Sequence, residues 1–184
     1  MDNWRKAHRG DTSVRKTRVA NISLSYYNSP MRTIHRDIVS ALIFSKDGKL
    51  FQGMKDPHGG GVYADCWHIP GGGIDDGEDR IMALIREIRE ETGIVLSPEQ
   101  IELVDDVGRG ETEKVLKDTA EHVLCAMNFF VYKVILDHDA SEVRITLGDD
   151  RVAYQWTDIN DLNNLKLTPP SIALFTRLGY LNTT

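Results

Sequence analysis

A chain of 184 residues with 41% apolar and 27% charged side chains has room for one domain with a full core and is short for two. The net charge of −6 argues against nonspecific binding to nucleic acid, which draws on clustered Lys and Arg, and no apolar run approaches the roughly 20 residues that cross a bilayer. Cys66 and Cys125 are the only cysteines, widely spaced and without a CxxC; they read as reduced core thiols, and the lack of a signal-peptide pattern makes a cytoplasmic location the expectation.

Charge is unevenly spread. Residues 1–36 hold eight Lys/Arg against Asp2 and Asp11, net +6, which leaves −12 on the remaining 148. That basic arm reads as a solvated extension, with electrostatic help toward a phosphorylated substrate as the sharper alternative. Residues 19–27 have strand composition, and Asn28-Ser29-Pro30 then punctuates the chain, so a domain boundary is expected near Met31. Residues 38–44 are nearly continuous in apolar character, the pattern of a strand covered on both faces. Lys46-Asp47-Gly48-Lys49 reads as a hairpin turn into a strand over 50–54. Residues 56–65, with Pro57 and three consecutive glycines, are expected to form a loop at a site rim.

Residues 72–94 read GGIDDGEDRIMALIREIREETGI. Asp76 is expected to cap a helix, with Glu78 and Asp79 in the first turn, where unpaired N–H groups and the positive dipole end favour carboxylates, and Gly93 is expected to stop it. Ile81, Leu84, Ile85 and Ile88 recur at i, i+3, i+4 and i+7, one apolar stripe for a core. Glu87, Glu90 and Glu91 stand at i, i+3 and i+4, so their carboxylates share a side of the helix. At an effective dielectric near 20, two like charges about 4 Å apart repel by roughly 4 kcal/mol, and Arg86 pairing with Glu90 at i+4 relieves only part of that. A divalent cation turns the repulsion into coordination, and hard oxygen donors without His or Cys favour Mg²⁺ or Mn²⁺ over zinc.

Beyond the helix, Ser97-Pro98 marks a turn, residues 101–107 a short strand, and the charged residues 108–121 an exposed loop or short helix. Residues 122–136 are the longest apolar-rich run and suit a long central strand; residues 152–156 alternate as a second strand, followed by a short helix over 158–162. Thr168-Pro169-Pro170 opens a final helix, with Thr168 as its cap and Ile172, Leu174, Phe175 and Leu178 as its packing face. Tyr154, Trp156 and Phe175 read as core rather than as base-stacking platforms. Strands, helix, strands and a terminal helix make an α/β domain with helices on both faces of a mixed sheet.

Gly72, Glu78, Arg86, Glu87, Ile88, Glu90, Glu91, Gly93 and Ile94 resemble the Nudix box, G-x5-E-x7-R-E-U-x-E-E-x-G-U with U apolar, at every fixed position. The seven identities coincide by chance about once in 10⁸ to 10⁹ windows. Trp67-His68-Ile69-Pro70-Gly71-Gly72 resembles the approach that often precedes the box, with His68 read as a structural histidine. The resemblance covers roughly residues 36–180. It implies the Nudix α/β/α sandwich, with the box as loop-helix-loop, and leaves residues 1–35 as a basic extension ahead of a domain over 36–184. An N-terminal strand in that extension offers an arm for a homodimer. The resemblance also implies a metal-dependent pyrophosphohydrolase acting on a nucleoside diphosphate linked to another moiety. Glu87, Glu90, Glu91 and the carbonyl of Gly71 would bind Mg²⁺ or Mn²⁺. Glu87 is the candidate to take the proton of the attacking water, Arg86 would hold Glu90 or its neighbours, and Glu78 would serve the box loop with Gly72 and Gly93. Glu111, Glu113, Glu121 and Asp150 are candidates for a further ligand. Some nucleotide-sugar hydrolases of the family carry Glu-His just before the last strand; Asp150-Arg151 stands there in this chain, which puts a His-based mechanism in doubt. Signatures of several substrate classes are absent, which leaves (d)NTPs and nucleotide sugars as the expected small-molecule partners, with no membrane or nucleic acid. The alternatives are a nucleotide-binding sensor with vestigial activity and, through the basic arm, an RNA 5′-end pyrophosphohydrolase.

Overall fold

The computed structural model describes residues 31–58, 63, 65–116, 118–148 and 151–181. The strand and dimerisation arm expected within residues 1–30, part of the 56–65 loop, and Asp150 lie outside them. Strand β1 (Arg32–Phe44) turns at Ser45–Lys49 into β2 (Leu50–Lys55), the hairpin expected from Asp47-Gly48. Two short strands follow, β3 (Trp67–His68) and β4 (Gly71–Gly73), then helix α1 (Arg80–Thr92). Strands β5 (Glu102–Val115), β6 (His122–Ile135) and β7 (Arg151–Thr157) precede the terminal helix α2 (Pro169–Arg177).

All seven strands form one mixed sheet. β1 and β6 run parallel from Arg32↔Val123 to Phe44↔Ile135, and β5 closes against β6 antiparallel. β4 pairs β1 at Ile38–Ser40, and β2 carries β7 along its length and β3 at its far end. The strand period of two sorts the apolar run of β1 into two cores. Val39, Ala41 and Ile43 join Leu84 and Ile88 of α1, while Leu42 and Phe44 join Leu174 and Phe175 of α2. The sheet therefore lies between the two helices, an α/β/α sandwich; of the residues 38–44 expected to be covered on both faces, Val39 and Ala41–Phe44 are buried, while Ile38 and Ser40 are half-buried.

Four local expectations are corrected. Asp79, not Asp76, caps α1: its side chain accepts from the N–H groups of Ile81 and Met82. Residues 75–78 are used as a turn, with the Glu78 N–H on the Asp75 carbonyl and Gly77 at φ +82°, so the helix starts one turn later. Residues 108–115 are strand rather than loop or helix, because β6 supplies a partner backbone through two register irregularities, at Leu103/Asp105 and Asp105/Gly108. Their charges suit an edge strand, where they discourage pairing with other chains. Ile172 is 46% exposed, since the Thr168 cap sets the phase of α2 so that Ser171, Leu174 and Phe175 face inward. Tyr154 is exposed on the sheet and stacks on Phe51, with ring centroids 5.9 Å apart, whereas Phe175 is fully buried.

Candidate active site

Helix α1 buries Ala83, Leu84 and Ile88 against the sheet, which fixes its rotation and turns Arg86, Glu87 and Glu91 toward the glycines of β4, with Glu90 exposed beside Arg86. Gly93, at φ +74°, ends the helix and donates its N–H to the Arg89 carbonyl. Arg86 is the hub of the box. Its Nε and Nη2 grip Glu78 at 3.0 and 2.8 Å, Nη2 also donates to the Gly73 carbonyl at 3.0 Å, and Nη1 reaches Glu87 at 2.8 Å and Glu90 at 3.3 Å. The bond to Glu78 holds the Arg86 guanidinium above its ordinary pKa and the Glu78 carboxyl below its own. Through Arg86, Glu78 is tied to the Gly73 carbonyl of the box loop and to the carboxylates of Glu87 and Glu90.

Glu91 is set apart from the other two acids. Its side chain is 9% exposed, against 15% for Glu87 and 59% for Glu90. Glu91 Oε2 accepts the Gly71 N–H at 2.8 Å and ion-pairs with Arg151 of β7. Burial pushes its carboxyl pKa up, opposed by Arg151, by the Gly71 N–H and by the charge of Lys55. The glycine run is needed for contact at this point. A Cβ at Gly72 would lie 2.3 Å from Glu87 Cδ, and one at Gly71, where φ is +146°, would lie 2.1 Å from the Val39 carbonyl oxygen.

Among the described residues no three acidic, His or Cys side chains converge on one point as metal ligands: Glu87 and Glu90 share Arg86, and Glu91 faces Arg151. The donor set nonetheless fits a hard divalent cation, for it is all carboxylate and carbonyl oxygen on one helix face beside a glycine edge. Glu90, the most exposed and the most weakly held, is the acid freest to exchange arginine for metal. Of the further-ligand candidates, Glu111 and Glu113 are exposed on β5, and Glu121 pairs with Arg32 at 2.6 Å.

A cavity of about 230 Å³ opens beside Gly71, between the sheet and α2. Ile38, Phe129 and Leu174 give it apolar walls, and Lys55, Arg109 and Arg177 bring cations to it. Arg177 is braced by Asp105 through two bonds of 2.9 and 2.8 Å. Arg109 donates to the carbonyls of Asp106 and Gly108. His68 lines the cavity too, its ring held between the Ile69 carbonyl and Arg151, as suits a structural histidine. Sequence reading missed Arg151, Lys55, Arg109 and Arg177 as site residues. The one signal was Asp150-Arg151 ahead of the last strand, and it pointed at the lost imidazole, not at the arginine.

The chain matches the NUDIX domain family over residues 34–178. An RNA pyrophosphohydrolase of Sphingopyxis alaskensis is 29% identical over 150 residues, 77% of this chain and 88% of that protein. Another, from Gluconobacter oxydans, is 41% identical over 64 residues, 35% of each chain. Among solved structures, a MutT protein from Methanosarcina mazei Go1 superposes with a TM-score of 0.59 at 20% identity, over 80% of this chain and 94% of that one. The NUDIX domain of Shewanella oneidensis NrtR, complexed with ADP ribose, gives 0.54 at 17% identity over 87% and 93%. These structural likenesses speak to the fold, and the sandwich is theirs. With the family's match spanning the sheet, both helices and the glutamate face that α1 carries, this chain belongs to the Nudix family.

Proposed function

We propose that the protein is a divalent-metal-dependent pyrophosphohydrolase that cleaves a nucleoside diphosphate linked to another group, a (d)NTP or a nucleotide sugar. The observation that carries this is the junction at Gly71, which donates to the buried carboxylate of Glu91 and also lines the cavity between sheet and α2. A diphosphate lying across that junction has the glutamate face on one side and room for its nucleoside on the other.

Glu87, Glu90, Glu91 and the Gly71 carbonyl would hold Mg²⁺ or Mn²⁺. When bound, the ion neutralises the diphosphate and stabilises charge on the leaving phosphate. Arg86 keeps Glu87 and Glu90 on one guanidinium nitrogen, so that neither drifts from the face. Glu87, mostly shielded and seated over Gly72, would orient the attacking water and take its proton on a carboxylate oxygen. Lys55, Arg109 and Arg177 line the cavity with positive charge for the phosphates or the ribose, and Phe129 offers a ring to the base. A cytoplasmic setting goes with this reading: both cysteines are buried free thiols, and among the described residues no helix is long and apolar enough to cross a membrane.

A second reading, hydrolysis at the triphosphorylated 5′ end of RNA, is favoured by the Sphingopyxis relative, which is named an RNA pyrophosphohydrolase and matches most of this chain. The same glutamates would serve it, and the net +6 of residues 1–36 would supply backbone contacts. Turnover of mononucleotides, nucleotide sugars and triphosphorylated RNA, compared at two salt concentrations, separates the readings. A preference for RNA that falls steeply with salt selects the second. Salt-insensitive turnover of a small nucleotide selects the first, and no Mg²⁺-dependent release from any of them leaves a nucleotide-binding sensor.

A further inference from the structure

The cavity between the sheet and α2 is built on a distortion of β5. Asp105 pairs Val131 and Gly108 pairs Phe129, so three steps along β5 match two along β6. In an even ladder, residues three apart point to opposite faces. The irregularity instead puts Asp105 and Gly108 on one face, that of Val131 and Phe129, and Gly110 joins them two residues on. Val131, Phe129 and Gly108 line the cavity, as do Leu174 and Arg177, which stand three apart on one side of α2.

The glycines let a ring and a guanidinium meet there. A Cβ at Gly110 would lie 2.9 Å from Phe129 Cε2, so the ring lies against bare backbone. A Cβ at Gly108 would lie 3.2 Å from both Arg177 Nη2 and Phe129 Cβ, which makes the two side chains neighbours over the same glycine.

Arg177 is held by one edge. Its Nε and Nη2 donate to the two oxygens of Asp105 at 2.9 and 2.8 Å, and the Asp105 side chain is 6% exposed against 37% for Arg177. A guanidinium carries more donors than this fork uses, and its end edge, Nη1 with the outer N–H of Nη2, has no partner among the described residues. Because Asp105 matches the charge, Arg177 offers the cavity two directional donors with little net charge. Arg109, by contrast, donates to carbonyls and keeps its charge for a phosphate. No acidic side chain among the described residues lines the cavity to compete for the open edge.

A donor-only fork beside a ring suits a flat group with two adjacent acceptors. Guanine presents O6 and N7 in that way; adenine sets an amino donor beside N7, cytosine presents an amino donor, and thymine a single acceptor. We infer that Arg177 is a specificity-determining residue that reads the O6/N7 edge of a guanine stacked on Phe129. Asp105 is the positioning residue that aims the fork. The inference rests on the pyrophosphohydrolase reading and narrows its substrates to guanine nucleotides.

Equilibrium binding of nucleoside monophosphates to the full chain with Mg²⁺, by isothermal titration calorimetry, tests this apart from turnover, since they have no pyrophosphate bond to cleave. GMP and IMP, which share O6 and N7, are expected to bind at least about 5-fold more tightly than AMP. 7-deaza-GMP, with carbon in place of N7, and 8-oxo-GMP, with a hydrogen on N7, are expected to bind at least about 3-fold more weakly than GMP. Arg177→Lys keeps a charge beside Asp105 but has no fork, so its GMP/AMP ratio is expected to fall to within about 2-fold of one, with a thermal melt to show that it is folded. A smaller wild-type preference for GMP over AMP overturns the inference, as does 7-deaza-GMP bound as tightly as GMP, and neither result depends on a variant folding. A folded Arg177→Lys that loses GMP and AMP by the same factor makes Arg177 a phosphate contact and overturns it too, as does a wild type that binds no GMP. Guanine preference in binding, with no turnover of any nucleotide, strikes instead at the pyrophosphohydrolase reading, so the two failures are distinct.

Discussion

The glutamates of α1 are held as three different groups, although their spacing makes them look alike. Glu90 is the outermost, and its substitution leaves the core untouched. Glu90→Gln is therefore expected to keep the wild-type unfolding midpoint while Mg²⁺-dependent turnover falls by more than about 100-fold, read by steady-state kinetics beside a thermal melt. Retention of near wild-type turnover would remove Glu90 from the metal site. Gly72 tests the seat of Glu87. An added methyl group must displace a carboxyl that now lies 2.3 Å from its position, so Gly72→Ala is expected to lower kcat by about 100-fold through misplacement of that acid. An unchanged kcat would mean that Glu87 tolerates the shift and is not the proton acceptor. Box residues were legible in the sequence because one helix carries them at spacings of three and four, and helix geometry converts spacing into a shared face. Arg151, Lys55, Arg109 and Arg177 come from four other elements or their flanks, and no local period links them to the box.

At the scale of the element, α1 is anchored by its apolar stripe and its loop by the Arg86–Glu78 pair. Leu84 is fully buried between helix and sheet, so Leu84→Ala is expected to cost about 2–5 kcal/mol in denaturant unfolding. A loss well below that range would mean the helix packs loosely. Glu78 carries a pH signature. Arg86 depresses its folded-state pKa below the unfolded value, so its stabilising contribution is present above the ordinary carboxylate range and is lost as pH falls through the depressed folded value. Glu78→Gln is thus expected to unfold at lower temperature than the wild type at neutral pH, with the gap closing on acidification below about pH 4. A gap independent of pH would assign the loss to packing. Elements were well read where the pattern was periodic, as in β1, β6 and α1. They were misread where a partner decided the outcome, because residues 108–115 are polar enough for a loop and become strand only on the exposed backbone of β6. The start of α1 was misplaced for a related reason, since Asp76 and Asp79 are both good caps by composition and Gly77 selects between them.

Residues 31–181 place a glutamate face and a cavity of about 230 Å³ on either side of one glycine edge, and neither helix could do so without the sheet that holds them apart. Helices on both faces of a mixed sheet were legible from the order of strand runs, box helix and Thr168-capped terminal helix, and the sandwich itself was what the resemblance to the Nudix box implied. The cavity was not, since its walls come from β1, β5 and β6, two residues each, and from α2, which supplies five, and no local pattern links the four. The measurement that bears most directly on the account is turnover of a panel of (d)NTPs and nucleotide sugars with Mg²⁺, with products identified by mass. The expected result is cleavage of the pyrophosphate bond in at least one of them, abolished by chelation and by Glu90→Gln. Mn²⁺ or Mg²⁺ bound at the box with no cleavage of any small nucleotide or of triphosphorylated RNA would contradict it.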